Sequence, residues 1–310
     1  MGNQFRTAIL LAVMTSAFLL IGKLLGGSHG MFIALLFAIG MNFFSYWFSD
    51  KIVLRMYRAT EVTVQQEPEL YNMVQLLCQR AELPLPKIYT IPQDSPNAFA
   101  TGRNPEHAVV AVTEGLMRLM NREEIMGVIA HELAHVKNRD ILIGSIAATM
   151  SGAIMLLADM ARWSAIFGGG RNENEEGGGL SGIGLILMSI IAPFAAMLIQ
   201  MAISRSREYL ADASGAGFAG SAKGLANALE KLGAYSGRLP MDANPATAHM
   251  FIVNPLSGQR LMNLFSTHPP LSDRIARLRG YSASTGPVSP TGPPRNMADQ
   301  GRAFWDDLSK

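Results

Sequence analysis

The chain has 310 residues, of which 49% are hydrophobic and 16% are charged, and its formal net charge is +2. Soluble globular domains carry about 25% charged residues, so this composition excludes a wholly soluble protein, and the small net charge gives no basis for nucleic-acid binding. Because Cys78 is the only cysteine, an intrachain disulfide is excluded and a reducing compartment fits the chain.

Two apolar stretches open the chain. The first, Thr7–Leu25, would reach about 28 Å as a helix, which is enough to cross a hydrocarbon core. The second, Met31–Phe48, ends in aromatic residues typical of a membrane interface. A cleaved signal peptide is the alternative for the first stretch, but its apolar core is long and no clear A-x-A cleavage site follows. We therefore predict a transmembrane helical hairpin over residues 1–50.

Residues 51–140 are more polar and are predicted to form the first cytosolic part of the protein. Apolar residues recur with helical spacing after Pro68, and Asn121 with Glu124 three residues later has the pattern of a capping box that opens a second helix. The predicted short strands are Lys87–Ile91, Ala98–Gly102 and Ala108–Val112. We expect a small β-sheet packed against the helix that begins near Asn121.

That helix carries the pentapeptide His131-Glu132-Leu133-Ala134-His135, an H-E-x-x-H motif. Histidines four residues apart project from one side of a helix and can bind one metal ion at roughly 2.0–2.1 Å each. Glu132 would lie beside the metal, where a carboxylate can take a proton from a water molecule whose pKa zinc has lowered towards about 7. The alternative is a pair of ordinary surface histidines, but in a chain with 6 histidines this pattern arises by chance in fewer than about 1% of cases.

Two further apolar stretches run from Ile141 to about Ala158 and from Leu180 to Ile203, and a Gly-rich loop joins them. A buried helical hairpin of a soluble core is the alternative, but the length and low charge of both stretches favour a second transmembrane hairpin over residues 141–203. Lysines and arginines flank the ends of the spans that adjoin the polar parts of the chain. The positive-inside rule therefore places both termini and the H-E-x-x-H motif in the cytoplasm of a multi-pass protein.

Residues 204–280 form the second predicted cytosolic part, and the Pro/Gly-rich residues 281–310 are predicted to be a flexible tail. A catalytic zinc ion takes three protein ligands and keeps one position open. Glu208 is the best candidate for the third ligand, and Asp212 lies one helical turn later, where it could accept a hydrogen bond from a zinc-binding histidine. A solvated charged face is the alternative, and the spacing does not decide between the two.

The motifs together resemble the HtpX family of membrane-bound zinc metalloproteases, which are relatives of the CAAX prenyl endopeptidases. The resemblance covers the chain from Arg6 to about Gly280 and rests on HELAHVKNRD, SRSREYLAD, Asn97–Gly102, Thr267–Pro270 and the four apolar spans. It implies an α-helical membrane protein with about four transmembrane helices and an α+β gluzincin-type protease domain. It also implies one Zn²⁺ per chain with the ligands His131, His135 and Glu208, with Glu132 as the catalytic base and Asp212 supporting a ligand.

The same resemblance implies roles for residues that spacing alone leaves unassigned. Asn97, Ala98, Phe99 and Ala100 are expected to form the edge strand along which an extended peptide substrate lies. His268 and Arg274 are expected in the cleft, where cationic donors could stabilise an oxyanion. The implied function is cleavage of misfolded or damaged proteins, including membrane proteins, at the bacterial inner membrane during stress. The expected partners are such substrates and the lipid bilayer, without nucleic acid.

Two other functions fit parts of the sequence. A site-2-type intramembrane protease carries H-E-x-x-H inside a membrane span, whereas here charged residues bracket the motif on both sides, which a bilayer core would accept only at high cost. A membrane adaptor or holdase with a structural metal would have no use for an open coordination position or for Glu132. Chelator-sensitive cleavage of unfolded casein distinguishes the protease from the holdase.

Overall fold

The computed structural model describes residues 3–152, 205–236, 247–253 and 269–284. Its helices are α1 Asn3–Met56, α2 Pro68–Ala81, α3 Glu114–Leu119, α4 Arg122–Lys137, α5 Asp140–Gly152, α6 Arg205–Ala219, α7 Lys223–Ser236 and α8 Leu271–Ser284. Its strands are β1 Thr60–Glu61, β2 Lys87–Ile91, β3 Ala98–Thr101 and β4 Val109–Thr113, and two 3-10 turns are Pro105–His107 and Ala248–Met250. The predicted span Leu180–Ile203 lies outside the described residues. The last helix continues to Ser284, four residues into the predicted tail, because Tyr281-Ser282-Ala283-Ser284 contains no proline or glycine.

Helix α1 consists of two antiparallel arms that meet at a sharp break. Gly26 and Gly27 have non-helical backbone angles, and Gly27 has a φ of 60°, in the left-handed region that favours glycine. Between the arms, the rings of Phe18 and Phe37 pack edge to face with centroids 5.4 Å apart. Only these two glycines depart from helical geometry, so the turn is shorter than the gap of residues 26–30 between the two predicted apolar stretches.

The second arm, Gly26–Met56, is long and apolar enough to cross a membrane. It exposes large apolar side chains, among them Ile33, which is 64% exposed, and Phe43, which is 60% exposed. Contact of these side chains with water is unfavourable, whereas contact with lipid is not. Helix α5 is apolar as well, but its described part is shorter than a membrane span. Among the described residues, one of the four predicted spans therefore has the length and composition of a transmembrane helix.

The four strands form a mixed sheet in the order β1-β2-β4-β3, with β2 parallel to β4 and the other pairs antiparallel. Val110 and Val112 of β4 face an apolar cluster built on α2 and α4, whereas Val109 and Ala111 face a second cluster that includes the end of α1. Both faces are thus covered, and every residue of β3 and β4 is buried. The predicted small sheet against the H-E-x-x-H helix is confirmed.

Helix α4 begins with the predicted capping box. The side chain of Asn121 accepts a hydrogen bond from the Glu124 N–H at 3.0 Å, and the Glu124 carboxylate accepts one from the Asn121 N–H at 2.9 Å. The amine of Lys231 on α7 lies 2.7 Å from the same carboxylate. The capping residue therefore also fixes the start of α4 against a neighbouring helix.

Glycines allow α4 to approach α6 and α7 closely. A Cβ on Gly127 would lie 2.4 Å from the backbone nitrogen of Leu225, and a Cβ on Gly215 would lie 2.8 Å from the backbone nitrogen of His131. Real Cβ atoms do not approach other atoms so closely. The absence of a side chain at Gly215 therefore sets the distance between α6 and the first histidine of the motif.

We predict that Gly215→Ala lowers the free energy of unfolding by about 1–2 kcal/mol. Overpacking against the backbone of His131 costs roughly 1–3 kcal/mol and exceeds the helix propensity gained, which is up to about 1 kcal/mol. Gly217→Ala on the same helix is the matched control, because a Cβ there meets no other described atom within 4 Å. Thermal unfolding in detergent measures both variants, and equal stability of the two would contradict the close-packing argument.

Candidate active site

Helices α4 and α6 bring the three predicted metal ligands to one point. The Nε2 atoms of His131 and His135 are 3.2 Å apart. The Glu208 carboxylate lies 3.6 Å from His131 Nε2 and 3.4 Å from His135 Nε2. Ligand atoms at roughly 2.0–2.2 Å from a tetrahedral zinc ion lie about 3.3–3.6 Å from one another. The spacing of the three side chains therefore fits one metal ion of this kind.

A carboxylate supports each of the two imidazoles from behind. Asp212 Oδ1 lies 2.9 Å from His131 Nδ1, and Asp140 Oδ2 lies 3.2 Å from His135 Nδ1. Each Nδ1–H then donates to its carboxylate, which leaves the Nε2 lone pair directed at the shared point. Asp212 was expected to have this position from the sequence, whereas Asp140 was not assigned a role.

Each supporting carboxylate in turn faces an arginine. Arg274 donates from Nε and Nη2 to the two oxygens of Asp212 at 2.8 and 2.7 Å, a bidentate pair, and its side chain is 0% exposed. Arg207 Nη1 lies 3.7 Å from Asp140 Oδ1. Arg274 also reaches the ligand candidates, because its Nη1 lies 3.4 Å from Glu208 Oε2 and its Nη2 lies 3.4 Å from His131 Nε2. Its expected role in stabilising an oxyanion stays a prediction. His268, the other predicted cleft residue, lies outside the described residues.

Asp140 reaches His135 because the chain reverses just after α4. Asn138 closes the helix with its N–H donating to the carbonyl of Ala134 at 2.9 Å, and Arg139 adopts a φ of 58°, in the left-handed region. Residues five apart do not share a face of a continuous helix, so periodicity gives no indication of this contact. The signal available in the sequence is the asparagine at the end of the motif helix, a residue type common at helix C-termini.

The buried charges around the site have a formal excess of two negative charges. The buried carboxylates are Glu132, Asp140, Glu208 and Asp212, and the buried arginines are Arg207 and Arg274. Isolated charges of one sign are costly in a protein interior unless they are balanced. A divalent cation between the ligands would balance this excess, so the donor set fits a metal in charge as well as in geometry.

The pKa shifts follow from burial and from these pairs. Burial raises the pKa of Glu132, and the neighbouring imidazoles and the Ala100 N–H oppose that shift. Burial also acts to raise the pKa of the Asp212 carboxyl, but the guanidinium of Arg274 lowers it more, and the net shift is downward. For His131, burial lowers the imidazole pKa and the adjoining carboxylates raise it more. The site therefore favours positive charge at the imidazoles, whether from protons or from a metal.

Strand β3 lies directly beside Glu132. The Ala100 N–H donates a hydrogen bond to Glu132 Oε2 at 2.9 Å, which fixes the direction of the carboxylate. Asn97 and Ala98 precede Ala100 along the edge of the sheet, and the Phe99 side chain points into the second apolar cluster. The structure thus places the four predicted substrate-binding residues next to the predicted catalytic base, and their role in binding substrate stays a prediction.

A pocket opens over the three ligand candidates. Besides these, it is lined by Ala100, Glu132, Asp140 and Arg207, by Ile141 and Gly144 of α5, and by His249, Met250, Phe251 and Ile252. One wall is therefore charged and the other largely apolar, a combination suited to a peptide backbone with an apolar side chain. Because Ile141 and Gly144 belong to the start of α5, the pocket lies next to that apolar helix.

Comparisons with known proteins agree with this geometry. The family model described as peptidase family M48 matches residues 64–282. The protein named Protease HtpX homolog from Desulforapulum autotrophicum is 65% identical over 309 residues, covering 99% of this chain and 100% of that one. The protein of the same name from Desulfatibacillum aliphaticivorans is 64% identical over 311 residues, with the same coverage.

A solved structure shows the same fold. The crystal structure of S. mikatae Ste24p matches with a TM-score of 0.50 and 19% sequence identity. The match covers 89% of this chain but only 65% of the Ste24p chain, so this chain spans just under two thirds of that protein. The family match includes α4, α6 and α8, which supply the residues of the site. The chain therefore belongs to peptidase family M48 and, within it, to the HtpX proteases, which makes it a membrane metalloprotease.

Proposed function

We propose that the protein is a zinc-dependent endopeptidase, anchored in the bacterial inner membrane, that cleaves misfolded or damaged proteins on the cytoplasmic side. The observation that carries the proposal is the meeting of two imidazole nitrogens and one carboxylate within 4.8 Å of one another, beside the buried Glu132. Two nitrogen ligands and one oxygen ligand at tetrahedral spacing suit zinc better than magnesium or calcium, which prefer oxygen ligands and higher coordination numbers.

His131, His135 and Glu208 would hold one zinc ion per chain. When bound, zinc polarises the scissile carbonyl and lowers the pKa of a water molecule. Asp212 and Asp140 keep the two imidazoles in the required tautomer and orientation. In this proposal Arg274 acts as a positioning residue, because it holds Asp212 and its Nη1 lies 3.4 Å from Glu208 Oε2.

Glu132 is placed to act as the general base. Its carboxylate is buried beside the ligands, and the Ala100 N–H holds one of its oxygens. In peptide hydrolysis it takes a proton from the attacking water and passes it to the leaving amine. Burial raises the pKa of this carboxyl, which makes the carboxylate a stronger base for the first transfer.

The position of the site relative to the membrane supports substrates that are unfolded near the bilayer. The guanidinium of Arg103, just after β3, lies 4.8 Å from the ring of Trp47 in the aromatic end of the second membrane arm. Since β3 also contacts Glu132, this contact supports a position of the proposed base close to the interfacial end of the hairpin. An extended segment bound along β3 would be recognised through its backbone, which fits damaged proteins of varied sequence and a role in the stress response.

We predict that Glu132→Gln keeps about one zinc ion per chain and loses about 10²–10⁴-fold in the rate of casein cleavage, because it removes the base and leaves the ligands. Glu208→Ala should lose both zinc and activity, because it removes a ligand. Metal analysis of the two purified variants, together with a cleavage assay, separates the two roles. A Glu208→Ala protein with full zinc content and activity would show that the third ligand lies elsewhere.

A second prediction concerns Asp140. Asp140→Asn should weaken zinc binding about 10–100-fold, because the neutral amide no longer fixes the tautomer of His135. Competition with a chelator of known affinity measures the change. Asp94→Asn is the matched control, since Asp94 is 82% exposed and pairs with Arg118 away from the site. Equal zinc affinity in wild type and Asp140→Asn would rule out the supporting role.

A third prediction tests the orientation. Ser28→Cys, at the exposed tip of the hairpin, should react with a membrane-impermeant maleimide on spheroplasts, whereas Gln65→Cys, in the exposed loop before α2, should react only after the membrane is opened. The wild-type chain is the control, because its single cysteine is buried. The reverse labelling pattern would place the active site outside the cytoplasm.

A further inference from the structure

Residues 247–253, which we call the strap, lie along the outer edge of β3. The Ile252 N–H donates a hydrogen bond to the carbonyl of Ala98 at 3.3 Å. The Asn97 side chain donates from Nδ2 to the carbonyl of Val253 at 3.1 Å. One backbone hydrogen bond and one side-chain hydrogen bond therefore join the end of the strap to the edge of the sheet, on the side where an added strand would pair.

The hydrogen bond from Ile252 occupies the carbonyl of Ala98, a backbone group that a substrate strand would need. Along β3, alternate residues direct their backbone groups to β4, and the carbonyl of Asn97 accepts from the Thr113 N–H at 3.0 Å. Ala98 and Ala100 consequently direct theirs away from the sheet. Ile252 occupies the carbonyl of Ala98, and the Glu132 carboxylate occupies the N–H of Ala100.

The strap is fixed to other parts of the protein as well, and one of these contacts is the hydrogen bond that Arg274 Nη1 on α8 donates to the carbonyl of Ile252 at 3.0 Å. The hydroxyl groups of Tyr57 and Thr247 share a hydrogen bond, and His249 donates from Nε2 to the carbonyl of Gly144 on α5 at 3.0 Å. The ring of Phe251 packs edge to face on Tyr57 and Phe99, with centroids 5.2 and 5.3 Å away. Contacts with the end of α1, with α5 and with β3 make the strap a built-in part of the site.

The strap also forms one wall of the pocket over the ligand candidates. The pocket is bounded on one side by His131, Glu132 and Glu208 and on the other by residues 249–252. A peptide lying along β3 with its scissile bond near Glu132 would have to donate an N–H to the carbonyl of Ala98. The carbonyl of Ala98 cannot pair with the strap and with a substrate strand at the same time, so the strap and the peptide exclude each other there.

We propose that the strap occupies the place of the substrate strand and that an unfolded polypeptide binds by displacing it from β3. This inference rests on the proposed function, because it concerns the substrate of the same site. The apparent affinity for substrate then equals the intrinsic affinity multiplied by the fraction of molecules with the strap released. A compact folded protein offers no free extended segment to replace the strap, so the strap confines cleavage to unfolded chains.

The first test loosens the strap without touching the catalytic residues. Tyr57→Phe removes the hydroxyl that bonds Thr247 and keeps the ring that packs on Phe251. The KM for unfolded casein should fall about two- to tenfold, the effect of one net hydrogen bond, while kcat stays the same. Tyr89→Phe is the matched control, because its hydroxyl bonds Glu61 elsewhere on the sheet. An unchanged or higher KM in Tyr57→Phe overturns the proposal.

The second test observes the strap directly by hydrogen–deuterium exchange. In zinc-loaded Glu132→Gln protein, peptides spanning residues 247–253 should exchange faster when casein is bound, because the Ile252 N–H leaves the carbonyl of Ala98. Unchanged or slower exchange in the casein complex overturns displacement. Without casein, Tyr57→Phe should already exchange faster in this segment than wild type, and equal rates overturn the anchoring of the strap.

These outcomes are distinguishable from a failure of the proposed function. If wild-type protein with zinc does not cleave casein, the endopeptidase proposal fails, and the exchange comparison of Tyr57→Phe with Tyr89→Phe still decides whether Tyr57 anchors the strap. If wild-type protein cleaves casein while the strap stays protected in the casein complex, the endopeptidase proposal stands and the displacement is refuted.

Discussion

The site depends on one buried ion pair. Arg274 of α8 holds both oxygens of Asp212 on α6, Asp212 holds His131 on α4, and the same guanidinium donates to the carbonyl of Ile252 at 3.0 Å. Three helices and the strap therefore meet at a single side chain. Removing one partner of a buried ion pair typically costs about 3–5 kcal/mol, because the other charge is left unbalanced. The geometry of the first imidazole is thus tied to the packing of helices that are far apart in the chain.

The sheet connects the helical hairpin α1 to Glu132, the proposed catalytic base. Val53, Leu54 and Tyr57 at the end of α1 pack into the cluster that contains Phe99, and the residue after Phe99 donates its N–H to Glu132. Because β3 is short and closely packed on both faces, a displacement of the hairpin would displace β3 as well. The hairpin therefore forms part of the support of the candidate active site.

The sequence predicted the local features well, because each is determined by neighbouring residues. The H-E-x-x-H spacing, the capping box at Asn121 and the strand Lys87–Ile91 belong to this group. Glu208 could be assigned only through the family, since a charged pair four residues apart is common on exposed helices. The pairing of Arg274 with Asp212 could not be predicted from local patterns, because the two residues are 62 positions apart in the chain. Contacts made through a left-handed turn, such as that of Asp140, leave no periodic signal.

Asp140 connects the candidate site to the helix that follows it in the chain. Its carboxylate supports His135. Asp140 is also the first residue of the apolar helix α5, which begins two residues after Asn138, the residue that caps α4. A shift or tilt of α5 would move the carboxylate of Asp140 relative to the imidazole of His135. The packing of this apolar helix and the geometry of the candidate metal centre are therefore coupled through one residue.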